Sequence, residues 1–369
     1  MKSIFRNFVL GASLALFPLI AAEPSSERNQ KIDRMVQEFA KKQTGGGVAV
    51  AIITPDRTAS AGYRRDVFTY GHQRGPESAP PNENAIFYLA SVTKVLTATV
   101  LAKFVRDGKV RLDDPAQKYV PEGVRVPSFN GRHMTLKDLA AHTSGLPNEA
   151  GKVSQPYHYE EKEFYNWLSN YKLKYAPGTK NVYSNVGYGF LGLILARVAH
   201  MSYEEVVIKE VCDPLNMPNT RIEYYHPQSP DLGNFYNKKG SLIKGGCCVA
   251  LPTLGGGGAF ASTINDMSRF LAFNMGLLHT GMEDLLPLLQ QHDFTLLKNH
   301  FIGLGWYDNP LYQKPGIMKI NKNGGMPGTS TYLAFVKGTK TGVVVLANSD
   351  SQPTTKLGND ILKILNPQK

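Results

Sequence analysis

The chain has 369 residues, 42% of them apolar and 19% charged, which is material for one large core or two ordinary ones. Its formal charge is +11, but no dense Lys/Arg run accounts for the excess, so the charge reads as a general pull toward anionic surfaces and not as a nucleic-acid footprint. Nine histidines are scattered without H-x-x-x-H or C-x-x-C spacing, so neither a metal nor any other cofactor is expected.

Residues 1–22 read as a secretory leader. Lys2 and Arg6 form its positive end, Phe8 to Ile20 its apolar run, and Ala21-Ala22 a small-residue cleavage site before Glu23. The run is short for a membrane span, so no integral membrane segment is expected once the leader is removed. The mature protein is expected to be exported, to the periplasm in a Gram-negative host. Three cysteines, Cys212, Cys247 and Cys248, leave one bridge possible and its partner open.

Ile32, Met35, Val36 and Phe39 mark an amphipathic helix, ended by Gly45-Gly46-Gly47. Val48 to Ile53 reads as a buried strand and Ala59 to Tyr70 as its hairpin partner. A proline-rich loop, Gly75 to Asn84, leads to a helix that starts near Ser91 and stops at Gly108. The middle reads as mostly helical. Met134 to His142 is a short helix with Thr135 as its cap, and Tyr188 to His200 and Tyr203 to Val211 are two more. The aromatic run Tyr157 to Tyr175 reads as core. Gly255 to Gly258 lacks the P-loop pattern and reads as a turn lying close to other elements. Gly316 to Asn321, Thr329 to Val336 and Gly342 to Ala347 are strand-like, and Leu357, Ile361, Ile364 and Leu365 close the chain as a helix. The pattern predicts an α/β (α+β) fold: an antiparallel sheet built from both termini (about 23–90 and 315–369), flanked by helices, with a mostly helical part (about 91–314) inserted.

Ser91 and Lys94 are three residues apart, so a hydroxyl and an amine share one face of a first helical turn. A serine needs a base to become a nucleophile, and a lysine serves as one only where burial lowers its pKa. The spacing S-x-x-K also occurs at Ser169–Lys172 and Ser241–Lys244, so by itself it carries little weight. Its company adds weight. Tyr183-Ser184-Asn185 follows in the helical part, and Lys322-Asn323-Gly324 follows before the strand holding Tyr332-Leu333-Ala334-Phe335. In this order, S-x-x-K, Y-x-N and K-T-G-like, the chain resembles the serine β-lactamase and penicillin-binding-protein superfamily on its class C side. Within that family it resembles the AmpH-type D-alanyl-D-alanine carboxypeptidases/endopeptidases. His142-Thr143-Ser144-Gly145-Leu146-Pro147, Gly303-Leu304-Gly305-Trp306 and Val124 to Gly131 carry the likeness along most of the mature chain.

The resemblance implies a β-lactamase/transpeptidase-like fold and an acyl-enzyme on Ser91, with Lys94 and Tyr183 sharing the proton work. It implies that Asn185, Lys322, Asn323, Gly324 and Gly325 meet the substrate, with the backbone N–H groups of Ser91 and Gly325 as the oxyanion hole. Flanking ammonium groups on Lys94 and Lys322 are expected to favour the Tyr183 phenolate; which of Lys94 and Tyr183 takes the serine proton stays open. Two decoys are set aside: Tyr307-Asp308-Asn309 as a turn, and the literal Lys340-Thr341-Gly342 as a hairpin connection with its lysine in solvent. Asn323 replaces the family's threonine, which puts efficient β-lactam hydrolysis in more doubt than peptide transfer. Peptidoglycan peptides or β-lactams are the expected substrates of a monomer. A class C β-lactamase, a carboxylesterase of the same fold and a penicillin-binding sensor that stays acylated are the competing readings.

Overall fold

The structure is a computed structural model that describes residues 25–43, 45–150, 160–222, 231–243, 253–313, 316–350 and 352–368. The leader, Cys247, Cys248 and Tyr157 lie outside the described residues. Helix α1 (Ser25–Lys41) precedes strands β1 (Gly47–Pro55) and β2 (Tyr63–Gly71). Next come the short β3 (Phe87–Tyr88), a 3₁₀ turn over Ala90–Val92 and α2 (Thr93–Arg106). A small hairpin, β4 (Ser128–Phe129) and β5 (Arg132–His133), leads to α3 (Leu136–Ala140), α4 (Glu161–Asn170), α5 (Asn185–Ala199), α6 (Tyr203–Val207) and α7 (Asp213–Leu215). Then follow β6 (Ala261–Ser262), α8 (Ile264–Asn274), α9 (Leu286–Leu289), β7 (Phe294–Leu297), β8 (His300–Ile302) and β9 (Tyr307–Pro310). The chain closes with β10 (Met318–Met326), β11 (Thr329–Val336), β12 (Thr341–Ala347) and α10 (Thr354–Leu365).

The main sheet is antiparallel, in the order β2-β1-β12-β11-β10-β9-β8-β7. Its first and last strands are neighbours, with Val50 opposite Val345, so the sheet is built from both ends of the chain as the pattern predicts. Side chains on a strand alternate between faces, and here both faces are covered. Val48, Val50, Ile52, Tyr332 and Val345 pack with Ile32 and Val36 of α1 and Leu357 and Ile361 of α10. Ala49, Ala51, Ile53, Leu333, Phe335, Val344 and Leu346 pack with the helical part, including Val95 and Leu96 of α2 and Phe270 and Leu271 of α8. Two-sided burial explains why β1 and β12 read as continuous apolar runs and not as alternating ones.

The Thr135 cap has the full capping-box geometry, its hydroxyl accepting from Asp138 N while the Asp138 carboxylate accepts from Thr135 N at 3.0 Å. Phe164, Tyr165 and Leu168 of the aromatic stretch are core, as expected. Cys212 is a buried free thiol, its pKa pushed up to about 12 by burial.

Three features differ from the sequence expectation. Part of the segment read as the helical insert, Phe294 to Pro310, supplies three strands that extend the sheet. Tyr307-Asp308-Asn309 is one of these and not a turn, with Tyr307 opposite Asn321 and Asn309 opposite Lys319. Its polarity hides it, because side chains bond across the strands: Asn309 Oδ1 accepts from Asn321 Nδ2 at 3.2 Å and from Lys319 Nζ. Finally, β10 does not stop at Asn321 but runs on through Lys322, Asn323 and the two glycines to Met326.

Candidate active site

Ser91 lies in the 3₁₀ turn that links β3 to α2, two residues before the regular helix begins. Ala90 holds a left-handed backbone, φ 48°, which is uncommon outside glycine and turns the chain sharply at the serine. The strand entering this turn is pinned from β11. Thr329 Oγ1 donates to Tyr88 O and Thr331 Oγ1 to Leu89 O, each at 3.0 Å. On the other side, Leu89 N donates to Phe260 O at 2.8 Å, and Phe260 N donates to Thr93 Oγ1 at 3.2 Å.

Lys94 is fully buried. Its Nζ lies 2.7 Å from Asn185 Oδ1, 2.5 Å from Gly257 O and 3.3 Å from Ser91 Oγ. Burial, and then the charge of Lys322, pulls its pKa well below the ordinary lysine value. The carbonyl of Gly257 reaches Lys94 because the glycine turn lies directly on α5: a Cβ on Gly256 would run into Tyr188 O and sit 3.1 Å from Gly192 Cα. That close approach is the use expected for Gly255 to Gly258.

Tyr183 is on the loop that enters α5, and its hydroxyl donates to Ser91 Oγ. Ser184 fixes the loop: its Oγ caps α5 by accepting from Gly187 N at 2.8 Å and donates to Pro147 O at 2.6 Å. The Tyr183 ring packs on the imidazole of His142 at 4.4 Å, and Lys94 Nζ and Lys322 Nζ stand 4.7 and 5.1 Å from its centre. Burial raises the Tyr183 pKa well above the ordinary phenol value, and the bond to Ser91 offsets only part of that. The shift runs opposite to the expected stabilisation of phenolate, with desolvation by burial as its leading cause.

Lys322 is buried, with Nζ 5.1 Å from the ring centres of both Tyr183 and Tyr307. Burial draws its pKa down to about 7. Gly324 passes directly against the Ser91 turn, since a Cβ there would run into Leu89 O and Thr331 Oγ1 and sit 3.1 Å from Ser91 N. Gly325 faces open space. Strand β9 pairs with β10 only from Met318 to Asn321, so the edge from Lys322 to Met326 is open on that side.

A cavity of about 360 Å³ lies over Ser91, lined among others by Tyr183, Asn185, Gly257, Gly325, Met326 and Glu149. Ser91, Lys94, Tyr183, Asn185, Lys322, Gly324 and Gly325 thus converge. Lys94, Lys322, Asn323 and Gly324 are not among the described residues that line this cavity; the Asn323 side chain is exposed, on the face of the strand opposite the buried Lys322 side chain. The decoys lie elsewhere. Ser169 Oγ accepts from Arg125 N at 3.1 Å, and Asn237 Oδ1 accepts from Ser241 N at 3.1 Å, in a turn. Lys340 sits in the β11–β12 hairpin, donating to Gly276 O at 3.0 Å.

Sequence reasoning assigned no role to three residues of the site. His142 is buried, takes a hydrogen bond on Nδ1 from Ser184 N at 3.1 Å, and is kept neutral by burial and the two lysine charges. Tyr307 faces Lys322 from a strand mistaken for a turn, and Glu149 stands at the cavity wall. No periodicity marks them, because each is placed by an irregular or polar segment.

The geometry has counterparts among known proteins. The D-alanyl-D-alanine-carboxypeptidase/endopeptidase AmpH of Escherichia coli strain K12 is 30% identical over 380 aligned positions, spanning 97% of this chain and 94% of its own. A β-lactamase/D-alanine carboxypeptidase from Yersinia pestis, solved with citrate, superposes with a TM-score of 0.74 at 26% identity, over 93% of this chain and all (100%) of that one. A class C β-lactamase structure gives a TM-score of 0.80 at 26% identity, over 95% and 99% of the two chains. A family model described as Beta-lactamase matches residues 32–365, nearly the whole described fold, and the chain therefore belongs to the beta-lactamase family.

Proposed function

We propose that this serine hydrolase acts through an acyl-enzyme on Ser91, cleaving D-alanyl-D-alanine peptides of peptidoglycan as a carboxypeptidase and endopeptidase. The observation that carries the reading is the meeting of Lys94 Nζ and the Tyr183 hydroxyl on one oxygen, Ser91 Oγ, beside an open strand edge. A neutral lysine amine has two N–H donors and one lone pair. Asn185 Oδ1 and Gly257 O take the two donors, which leaves the lone pair for the Ser91 proton. Lys94 is thus the base of acylation and Tyr183, held as a phenol, the acid. As Ser91 Oγ attacks the carbonyl, its proton passes to Lys94, and the oxyanion forms between the N–H groups of Ser91 and Gly325. The C–N bond breaks as Tyr183 protonates the leaving amine, and Lys94 returns its proton to Tyr183. Water then attacks the ester by the reverse route. Asn185 aligns the substrate amide and Lys322 draws the terminal carboxylate, with Asn323 at the outer rim. The leader-like residues 1–22 and the likeness to AmpH support a periplasmic location; no helix among the described residues is long and apolar enough to cross a membrane.

The fit to a class C β-lactamase structure supports a second, slower activity on β-lactams. Rates on a D-alanyl-D-alanine peptide, nitrocefin and a p-nitrophenyl ester, measured side by side, test the proposal. The peptide is expected to have the highest kcat/KM. Nitrocefin ahead of the peptide would make the chain a β-lactamase first, and the ester ahead of both would make it an esterase.

A further inference from the structure

Among the described residues lining the cavity over Ser91, only Glu149 carries a charged side chain. It follows the Gly145-Leu146-Pro147 turn and is exposed toward solvent. Its Oε1 accepts from Asn148 Nδ2 at 3.3 Å and from Asn185 Nδ2 at 3.4 Å. The second of these fixes the Asn185 amide, whose Oδ1 receives Lys94 Nζ at 2.7 Å while its nitrogen faces Glu149. Two neutral amides orient the carboxylate without cancelling its charge. None of the ion pairs among the described residues involves it.

The cavity therefore has a direction. A substrate's terminal carboxylate is drawn toward Lys322, behind Tyr183, and repelled by Glu149. The acyl half then lies between the open edge at Gly325 and Met326 and the wall formed by Asn148, Glu149 and Asn185. We infer that Glu149 is a specificity residue selecting acyl donors with a free ammonium group close to the scissile carbonyl, such as a diamino residue just before the D-alanyl-D-alanine pair. This rests on the reading of Ser91 as the acylated nucleophile. Glu149 also lies within electrostatic reach of Lys94, so a role exerted through the base is the competing account.

Two matched pairs separate these accounts. One is Nα-acetyl-lysyl-D-alanyl-D-alanine against the same peptide with its side-chain amine acetylated, read as kcat/KM. The other is ampicillin against benzylpenicillin, which lacks the ammonium, read as acylation rate in competition with a fluorescent penicillin. The wild-type protein is expected to favour the cationic member of each pair by about two- to fivefold, the range of a partly exposed ion pair. Glu149→Gln should bring both ratios near one, Glu149→Asp should keep them, and Glu149→Lys should invert them. Wild-type ratios at or below one, or a Glu149→Gln loss that falls equally on both members and leaves the ratios intact, would overturn the inference. Cleaved peptides without preference would sink the inference and leave the peptidase reading standing. Uncleaved peptides with a preserved penicillin preference would do the reverse. If neither pair reacted, both would fall.

Discussion

At the scale of single residues, the site sets titratable groups against their ordinary pKa values. Lys94 and Lys322 are pulled down and Tyr183 is pushed up, each chiefly by burial. Tyr183→Phe keeps the ring on His142 and removes the hydroxyl proposed to protonate the leaving group. Turnover is expected to fall by roughly 10²–10⁴-fold, the usual worth of general acid–base help. Tyr307→Phe keeps the ring that faces Lys322 and should cost little; equal losses at the two positions would put the acid elsewhere. Lys322 also sets a pH dependence. Its pKa of about 7 means an ammonium below that pH and a neutral amine above it. The carboxylate anchor is thus present at low pH and lost as pH rises. The kcat/KM for a D-alanyl-D-alanine peptide, divided by that for a neutral p-nitrophenyl ester, should fall as pH rises through about 7. Taking the ratio cancels the titration of Lys94, which both substrates need. A ratio flat across that range would mean that Lys322 does not hold the carboxylate.

At the scale of elements, β10 shows what the sequence could and could not tell. Its apolar-looking start before Lys322 is legible, and so is the register of the neighbouring Thr329 to Val336. The half that forms the site is not, because Asn323, Gly324 and Gly325 have poor strand propensity. Gly324 is there because the strand must pass within contact of the Ser91 turn, whereas Asn323 is exposed and Gly325 borders open space. The same cause hides β9, a polar strand held by cross-strand side-chain bonds. It also shifts the start of α2 to Thr93, past a 3₁₀ turn that local pattern reads as helix. By contrast the meeting of Ser91, Lys94 and Tyr183 was legible from motif order, and the structure brings the three side chains together. Gly324→Ala tests the element-level account. The added methyl meets Leu89 O and Thr331 Oγ1, and overpacking of this kind costs about 1–3 kcal/mol. Thermal stability and acylation rate should both drop, whereas Gly325→Ala, where the added atom meets open space, should leave thermal stability unchanged. Full stability in Gly324→Ala would mean that β10 and the Ser91 turn are not in contact.

At the scale of the whole molecule, the site exists only where the two parts of the fold meet. Ser91, Lys94, Tyr183 and Asn185 come from the helical part and the turn that opens it; Lys322, Gly324 and Gly325 come from a sheet closed by both ends of the chain. Threonines of β11 tie the two together at Tyr88 and Leu89. The proposed nucleophile at this junction is Ser91 Oγ, which meets Lys94 Nζ and the Tyr183 hydroxyl at the mouth of the cavity. The most direct test is covalent labelling by a fluorescent penicillin, with the adduct located by peptide mass mapping. The label should map to the peptide containing Ser91, disappear in Ser91→Ala at unchanged thermal stability, and persist in Ser169→Ala and Ser241→Ala. A label that survives Ser91→Ala, or maps to Ser169 or Ser241, would contradict the account.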